Sequence, residues 1–150
     1  MAPLARFSLS RMFMNSPNDA PKSVLIVEDE QSIRDVLVEL FDVENNVVSS
    51  AESLPEALEL LRRQQFDLVV TDLRLGGKRD GGLQVMALAG MLSPDAMVLA
   101  LTAYPDDSNR QASFRLGALH FLEKPIDLAT IAQHAATVGV RSAFAPANGG

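Results

Sequence analysis

Five times along the chain, a short apolar run is followed by a longer segment in which apolar residues recur at helical spacing. The short runs predict strands at residues 24–27, 47–50, 66–71, 96–101 and 119–122. In the third run, Leu68, Val69 and Val70 are apolar on both faces, which suits a buried strand with helices above and below it. Five strand-then-helix units predict an α/β domain with a mostly parallel sheet and right-handed crossovers.

The segments between the strands carry the start and stop signals of helices. We expect the first helix to end near Phe41, the second near Gln65, and the third to cover residues 83–92. A long loop, LRLGGKRDGG, precedes that third helix. The capping residues are Ser53 with Glu56, Asp106 or Asp107, and Asp127 at N-termini, and Gly117 at a C-terminus.

Composition narrows the function classes. A chain of 150 residues that is 47% hydrophobic can bury the core of one ordinary domain. Its net charge of −6 argues against direct nucleic-acid binding, which needs a basic surface. The lack of cysteine excludes disulfides and thiolate chemistry, and His120 and His134 have no metal-ligand spacing. Since no apolar run approaches the roughly 18–20 residues of a membrane span, we expect a cytoplasmic protein with no membrane contact.

The domain is expected to occupy residues 23–138, with a tail at each end. Residues 1–22 carry Arg6 and Arg11 but lack the apolar core of a signal peptide, which predicts a flexible leader with Met12 or Met14 as an alternative start. Residues 139–150 end in APANGG, and we expect them to form a mobile tail.

Polar side chains stand at the carboxyl ends of four predicted strands. Glu28 and Asp29 follow the first strand, and Asp72 the third. Thr102 follows the fourth strand and Lys124 the fifth. Because such ends share one edge of a parallel sheet, where open α/β sheets bind ligands, we expect these groups to converge. The alternatives are a purely structural ion-pair network and, for Asp72 alone, a residue that merely ends a strand.

The expected cluster has the chemistry of phosphoryl transfer to a carboxylate. Three close carboxylates need a cation, since like charges otherwise raise at least one pKa, and an oxygen-only ligand set suits Mg²⁺. Asp72 would be the nucleophile, already ionised at pH 7, so that no general base is required. Lys124 supplies a positive charge and Thr102 a hydrogen bond for phosphoryl oxygens.

Four segments carry a family resemblance: VLIVEDE, VVTDLRL, LALTAY and SFRLGALHFLEKP, in this order. Together they resemble the receiver domain of two-component response regulators, in the CheY-like superfamily, over roughly residues 22–138. The resemblance implies a three-layer flavodoxin-like fold, with a five-stranded parallel sheet of order 2-1-3-4-5 and five helices.

The resemblance also implies roles for individual residues. Asp72 would accept a phosphoryl group from a histidine kinase or a phosphotransfer protein. Asp29 and Asp72 would ligate Mg²⁺ directly, Glu28 through water, and Arg74 through its main-chain carbonyl. Lys124 would bind the phosphoryl group, and the Lys124–Pro125 bond would be cis. Thr102 and Phe121 would form the switch pair, although Phe121 could instead be simple core and Thr102 only a strand-end hydroxyl.

Three departures from the family pattern affect this reading. Glu28 stands where Asp is commoner, which should shift water positions without removing the metal. Gly76 replaces a usual proline in a loop that is one residue longer, so the carbonyl of Arg74 is expected to be less firmly placed. Arg74 and Tyr104 occupy positions that tune hydrolysis of the acyl phosphate in this family. Bulky groups there favour a longer-lived phosphorylated state.

The resulting prediction is a signalling switch, not an enzyme, whose output passes to a protein partner or a homodimer through helix four, strand five and helix five. The alternatives are a pseudo-receiver scaffold that is never phosphorylated and an excised receiver of a longer DNA-binding regulator. An aspartate-nucleophile phosphatase is disfavoured because Arg74 stands where its second aspartate should be. The frame around Gly76, Gly77 and Lys78 also lacks a nucleotide-binding loop.

Overall fold

All five predicted strands and all five predicted helices are present in the computed structural model, which describes residues 20–77 and 81–144. The strands are β1 (Lys22–Val27), β2 (Asn46–Ala51), β3 (Leu68–Asp72), β4 (Met97–Thr102) and β5 (Ala118–Glu123). The helices are α1 (Gln31–Phe41), α2 (Leu54–Arg63), α3 (Gly81–Leu92), α4 (Asp107–Arg115) and α5 (Leu128–Ala136).

The strands form one sheet of order β2-β1-β3-β4-β5, and every pairing is parallel. This is the flavodoxin-like order that the resemblance implies, and the fold prediction is confirmed. The order reverses between β1 and β3, so the ends of these two central strands flank a crevice at the carboxyl edge of the sheet. No described helix has the length and hydropathy needed to span a bilayer.

Two apolar clusters lie on opposite faces of the sheet. On one face, Leu25 and Val69 pack with residues of α2 and α3 such as Leu61 and Met86. On the other face, Ile26 and Val70 pack with α1 and α5. All five residues of β3 are buried, because helices cover the strand on both sides.

Helix boundaries follow the capping signals closely. The N-terminal caps accept hydrogen bonds from backbone N–H groups: Ser53 from Glu56 at 3.3 Å, Asp106 from Asn109 at 2.7 Å and Asp127 from Ala129 at 3.1 Å. Gly117 has φ +102° just after α4, as expected of a C-terminal glycine. The predicted cis bond between Lys124 and Pro125 is confirmed.

Helix α3 begins at Gly81, two residues before the start predicted at Leu83. The sequence pattern assigns both glycines to the loop because glycine disfavours helix interiors. Tertiary contact overrides that preference, since the Gly82 N–H donates to the Leu73 carbonyl at 2.9 Å. A Cβ at Gly82 would overlap the Asp72 carbonyl oxygen, so only glycine lets the helix approach the strand end this closely.

The packed chain extends beyond Val138. Val140 is buried, and the Ala143 N–H donates to the Leu40 carbonyl at 2.8 Å. At the other end of the domain, β1 begins at Lys22, one residue before the expected boundary. The predicted leader lies outside the described residues up to position 19, as does the predicted tail from position 145.

Candidate functional site

Carboxylates from two neighbouring strand ends meet at the carboxyl edge of the sheet. Glu28 and Asp29 come directly after β1, and Asp72 is the last residue of β3. One carboxylate oxygen from each of the three residues lies within 4.8 Å of the others. The parallel pairing of β1 with β3 places these ends side by side, as the sequence predicts.

Lys124 joins this cluster from the end of β5. Its Nζ lies 2.9 Å from Asp72 Oδ2 and 2.9 Å from Glu28 Oε1. Glu28 is 0% exposed and Asp72 is 6% exposed, so one ammonium faces two carboxylates that are almost fully shielded from water. Asp29, in contrast, is exposed.

Burial perturbs the acid–base properties of both partners. The pKa of Glu28 is raised to about 7, chiefly by burial and secondarily by the negative charge of Asp72, while the hydrogen bond and charge of Lys124 oppose the rise. For Lys124, burial lowers the pKa, but hydrogen bonds to Glu28 and Asp72 outweigh it and hold the pKa above its usual value. The sequence predicts one raised carboxyl pKa through like charges alone; in the structure, desolvation is the larger cause.

The donor set fits Mg²⁺. Three carboxylates face a single ammonium, which leaves negative charge uncompensated. Among the described residues, the Lys124 ammonium is the one partner of Glu28 Oε1. Oxygen ligands with excess negative charge and no nitrogen or sulfur donor are what a hard divalent cation prefers.

Backbone N–H groups of the loop after β3 hold two of the carboxylates. The Arg74 N–H donates to Asp72 Oδ1 at 3.2 Å, and the Gly76 N–H donates to Asp29 Oδ2 at 3.0 Å. Gly76 has φ +58°, a left-handed conformation that favours glycine. From the sequence, Gly76 in place of the usual proline is expected to increase the mobility of this loop. The structure gives it a further consequence, because proline has no N–H to donate to Asp29.

Thr102 ends β4 beside Lys124, whose N–H donates to the Thr102 carbonyl at 2.7 Å. The Thr102 side chain is buried, and its hydroxyl oxygen accepts a hydrogen bond from the Tyr104 N–H at 2.9 Å. The Arg74 guanidinium lies 4.0 Å from the centre of the Tyr104 ring. Arg74, Thr102 and Tyr104 line a cavity of about 420 Å³ between the loops that follow β3 and β4.

Phe121 lies on β5, opposite Ala100 of β4, and is partly buried. Its ring centre is 6.4 Å from that of Phe114, and the Arg110 guanidinium lies 5.0 Å from it. Phe121 therefore packs against α4 and not against the carboxylates. These contacts are compatible with both the switch role and the simple core role, so the switch role of Phe121 stays a prediction.

Sequence reasoning overlooks Arg34, on the first turn of α1. Its Nη1 donates to the main-chain carbonyl of Glu28 at 2.9 Å and to that of Asp29 at 3.4 Å. A basic residue about one helical turn after an acidic strand end is the only sequence signal for it, and that pattern is common on helix surfaces.

The chain matches the family described as "Response regulator receiver domain" over residues 24–136. This chain belongs to the response regulator receiver domain family. Receiver domains are signalling phosphoacceptors and not classical enzymes, and they interact with histidine kinases. The chain is thus the receiver domain of a two-component response regulator, and its acidic pocket is consistent with a phosphoacceptor site.

Individual relatives agree with this assignment. The chain is 36% identical over 117 residues to the response regulator protein PilR of Pseudomonas aeruginosa, covering 77% of this chain and 26% of that protein. It is 30% identical over 107 residues to sporulation initiation phosphotransferase F of Bacillus subtilis, covering 71% of this chain and 85% of that protein. The chain therefore spans about a quarter of PilR but most of the Bacillus protein.

A solved structure with a similar fold comes from Burkholderia pseudomallei. It is a response regulator crystallised with a phosphorylated aspartic acid, a calcium ion and citrate. The two structures align with a TM-score of 0.68 and 30% sequence identity, over 77% of this chain and 65% of that one.

Proposed function

We propose that Asp72 accepts a phosphoryl group from a histidine kinase or a phosphotransfer protein in the cytoplasm. The observation that carries the proposal is the 2.9 Å contact between Asp72 Oδ2 and Lys124 Nζ inside a cluster of three carboxylates. An Asp72 oxygen attacks phosphorus, a bond from Asp72 oxygen to phosphorus forms, and the bond from phosphorus to the donor imidazole nitrogen breaks. The imidazole leaves with the electron pair and takes up a proton.

Asp29 and Asp72 would hold Mg²⁺ directly, Glu28 through water, and Arg74 through its main-chain carbonyl. When bound, Mg²⁺ supplies positive charge to the oxygens of the phosphoryl group. The excess negative charge of the cluster supports this ligand set. The calcium ion and phosphorylated aspartic acid in the Burkholderia protein, at 30% identity, lend it further support.

Lys124 and Thr102 would bind the oxygens of the phosphorylated Asp72. Lys124 already contacts Asp72, so its ammonium can pass to a phosphoryl oxygen with little movement. Thr102 has to exchange its hydrogen bond with the Tyr104 N–H for one with the phosphoryl group. That exchange would pull on the loop after β4 and alter the packing of Phe121 against α4. The surface of α4, β5 and α5 would then pass the signal to a protein partner or a second copy of the chain.

A second candidate function is that of the receiver within a longer regulator that binds DNA through another domain. The match to PilR favours a longer regulator, because the chain covers only 26% of that protein, but it says nothing of DNA binding. The phosphoacceptor chemistry is the same in both cases, and they differ in where the output is delivered.

The test is incubation of the full chain with acetyl phosphate and Mg²⁺, followed by mass spectrometry of the intact protein. We expect a mass gain of one phosphoryl group in the wild-type chain and none in Asp72→Asn. Asp35→Asn is the matched control, because Asp35 is an exposed aspartate of α1, and it should behave as wild type. A wild-type chain that gains no mass would favour the pseudo-receiver scaffold instead.

A further inference from the structure

We infer that Arg34 is a positioning residue for the metal site, holding the main chain of Glu28 and Asp29 so that both carboxylates face Asp72. The inference rests on the proposed function, because it concerns the affinity of that site for Mg²⁺. It adds a residue that is neither acidic nor in contact with the ion.

The guanidinium of Arg34 contacts two main-chain carbonyls of the loop after β1. Nη1 donates to the Glu28 carbonyl at 2.9 Å and also approaches the Asp29 carbonyl at 3.4 Å. The bond to the Asp29 carbonyl is exposed, but the side chain of Arg34 is only 14% exposed and its bond to the Glu28 carbonyl is partly buried. A hydrogen bond to a charged donor in such surroundings contributes more than one in solvent.

The loop needs this restraint because secondary structure does not provide it. Residues 28–30 lie between β1 and α1, outside any strand or helix. Their side chains include two of the three clustered carboxylates, and like charges favour moving Glu28 and Asp29 away from Asp72. Gly76 restrains the Asp29 carboxylate, and Arg34 restrains the main-chain carbonyls of Glu28 and Asp29.

Glu52 orients the guanidinium. Arg34 Nη2 lies 3.5 Å from Oε2 of Glu52, a residue two positions before the start of α2. The Glu52 N–H in turn donates to Glu56 Oε1 at 3.0 Å, within the N-terminal cap of that helix. Since the Glu52 carboxylate is 58% exposed, this ion pair is expected to contribute less than the two bonds to the loop carbonyls.

A positioning role and a purely electrostatic role of Arg34 predict opposite changes in Mg²⁺ affinity when the side chain is removed. A positive charge near the acids repels Mg²⁺, so removing it should tighten Mg²⁺ binding if charge alone mattered. Removing a restraint on the loop should weaken Mg²⁺ binding, because the ligands must be ordered again at each binding event. The direction of the change therefore separates the two roles.

The experiment measures Mg²⁺ affinity of the unphosphorylated full chain by isothermal titration calorimetry at constant ionic strength. We expect about a tenfold weaker affinity in Arg34→Ala, a typical loss when a residue that supports metal ligands is removed. Arg34→Lys keeps the charge and can reach one carbonyl, so it should recover part of the loss. Glu52→Gln should have the smallest effect of the three.

The matched control is Arg63→Ala, which also removes one positive charge. Arg63 is 68% exposed on the last turn of α2 and pairs only with Glu59 among the described residues. Its loss should leave Mg²⁺ affinity unchanged or slightly tighter. Phosphorylation of Arg34→Ala by acetyl phosphate should return to within about twofold of wild type at saturating Mg²⁺, because Asp72 and Lys124 keep their contact.

An unchanged or tighter Mg²⁺ affinity in Arg34→Ala would overturn the inference while leaving the proposed function intact. If Arg34→Ala fails to fold by circular dichroism, Arg34→Lys decides, and a wild-type affinity for that variant would overturn the inference. A wild-type chain that binds no Mg²⁺ and gains no phosphoryl group would overturn both proposals.

Discussion

The two sides of Asp72 differ in burial and in the kind of contact they make. On one side, Oδ2 meets the Lys124 ammonium, which is also paired with the buried carboxylate of Glu28. On the other side, Oδ1 accepts a longer hydrogen bond from the Arg74 N–H at the edge of a cavity. The first side is a desolvated ion-pair network, and the second is a pair of loops in contact with solvent.

This difference indicates that one side of Asp72 balances charge, while the other side can move. The network around Lys124 is built into strand ends that the sheet holds in register, so it can stay in place while chemistry occurs. Two contacts hold the open side together: the hydrogen bond from the Tyr104 N–H to the Thr102 hydroxyl oxygen, and the stacking of the Arg74 guanidinium on Tyr104, a residue that is 57% exposed. A cation–π contact at an exposed site contributes only about 0.5–1 kcal/mol, so this side can rearrange when Asp72 is phosphorylated.

The largest expected effect is on stability, when Lys124 is replaced by methionine. Lys124→Met leaves the carboxylates of Glu28 and Asp72 buried without their cation. We expect the free energy of unfolding at pH 8 without divalent cations to fall by about 4 kcal/mol. Urea unfolding monitored by circular dichroism measures it.

Arg74→Met is the counterpart on the open side. It removes a positive charge that stacks on an exposed ring, so the free energy of unfolding should change by no more than about 1 kcal/mol. Equal losses in the two variants would mean that the two sides of Asp72 do not differ as described.

The next effect is a dependence of stability on pH. Glu28 has a pKa of about 7 in the folded chain against 4.5 for an ordinary carboxyl, so between these values the folded state binds a proton that the unfolded state has released. The free energy of unfolding without divalent cations should therefore fall as pH rises from 4.5 through 7, by on the order of 3 kcal/mol from this group.

Glu28→Gln provides the control, because a neutral side chain at this position cannot titrate. Its unfolding free energy should lose most of this decline with pH. Added Mg²⁺ should stabilise the wild-type chain more at pH 8 than at pH 6, since it binds the ionised carboxylates. A wild-type stability that rises between pH 5 and 8 without divalent cations would contradict the assignment.

The smallest expected effect is on the lifetime of the phosphorylated state. Arg74 and Tyr104 stack on each other two residues past Asp72 and Thr102, where bulky side chains are expected to shield the acyl phosphate, so removing either side chain should admit water. We expect Arg74→Ala and Tyr104→Ala each to accelerate loss of the phosphoryl group by about fivefold, which corresponds to about 1 kcal/mol. The decay of the phosphorylated mass with time measures the rate.

The double variant tests whether the two side chains act as a pair. If stacking places both of them, the double variant should lose its phosphoryl group about as fast as either single variant. Multiplied effects would mean that each shields Asp72 independently. A wild-type chain that loses its phosphoryl group within seconds would refute the long-lived state altogether.

Much of the fold and of the candidate site follows from local patterns in the chain. Apolar runs of strand length, alternating with helical periodicity, predict five parallel strands, because a helix that connects two successive strands of one sheet returns the chain in the same direction. Asp72 could be singled out because it directly follows a strand whose residues Leu68, Val69 and Val70 are apolar on both faces. Glu28, Asp29 and Lys124 could be added because parallel strands share an edge for their carboxyl ends.

Only the tertiary structure decided the details that depend on distant contacts. The helical start at Gly81 results from close approach to the end of β3, which local propensity opposes. Leu119 lies in β5 as predicted, at the register shift between β4 and β5, but the sequence pattern does not predict that this apolar residue is 57% exposed. The role of Arg34 depends on where its guanidinium points, and no spacing encodes this.

What the sequence determined by itself was the set of chemical groups at one edge of a parallel sheet, because the alternation of strands and helices makes the strands parallel, while the strand order followed from the family resemblance. What the tertiary structure decided was their charge state and support. The pKa of Glu28 depends on desolvation by the whole fold, and the hydrogen bonds of Gly76 and Arg34 to the acidic loop depend on chain segments brought together by folding.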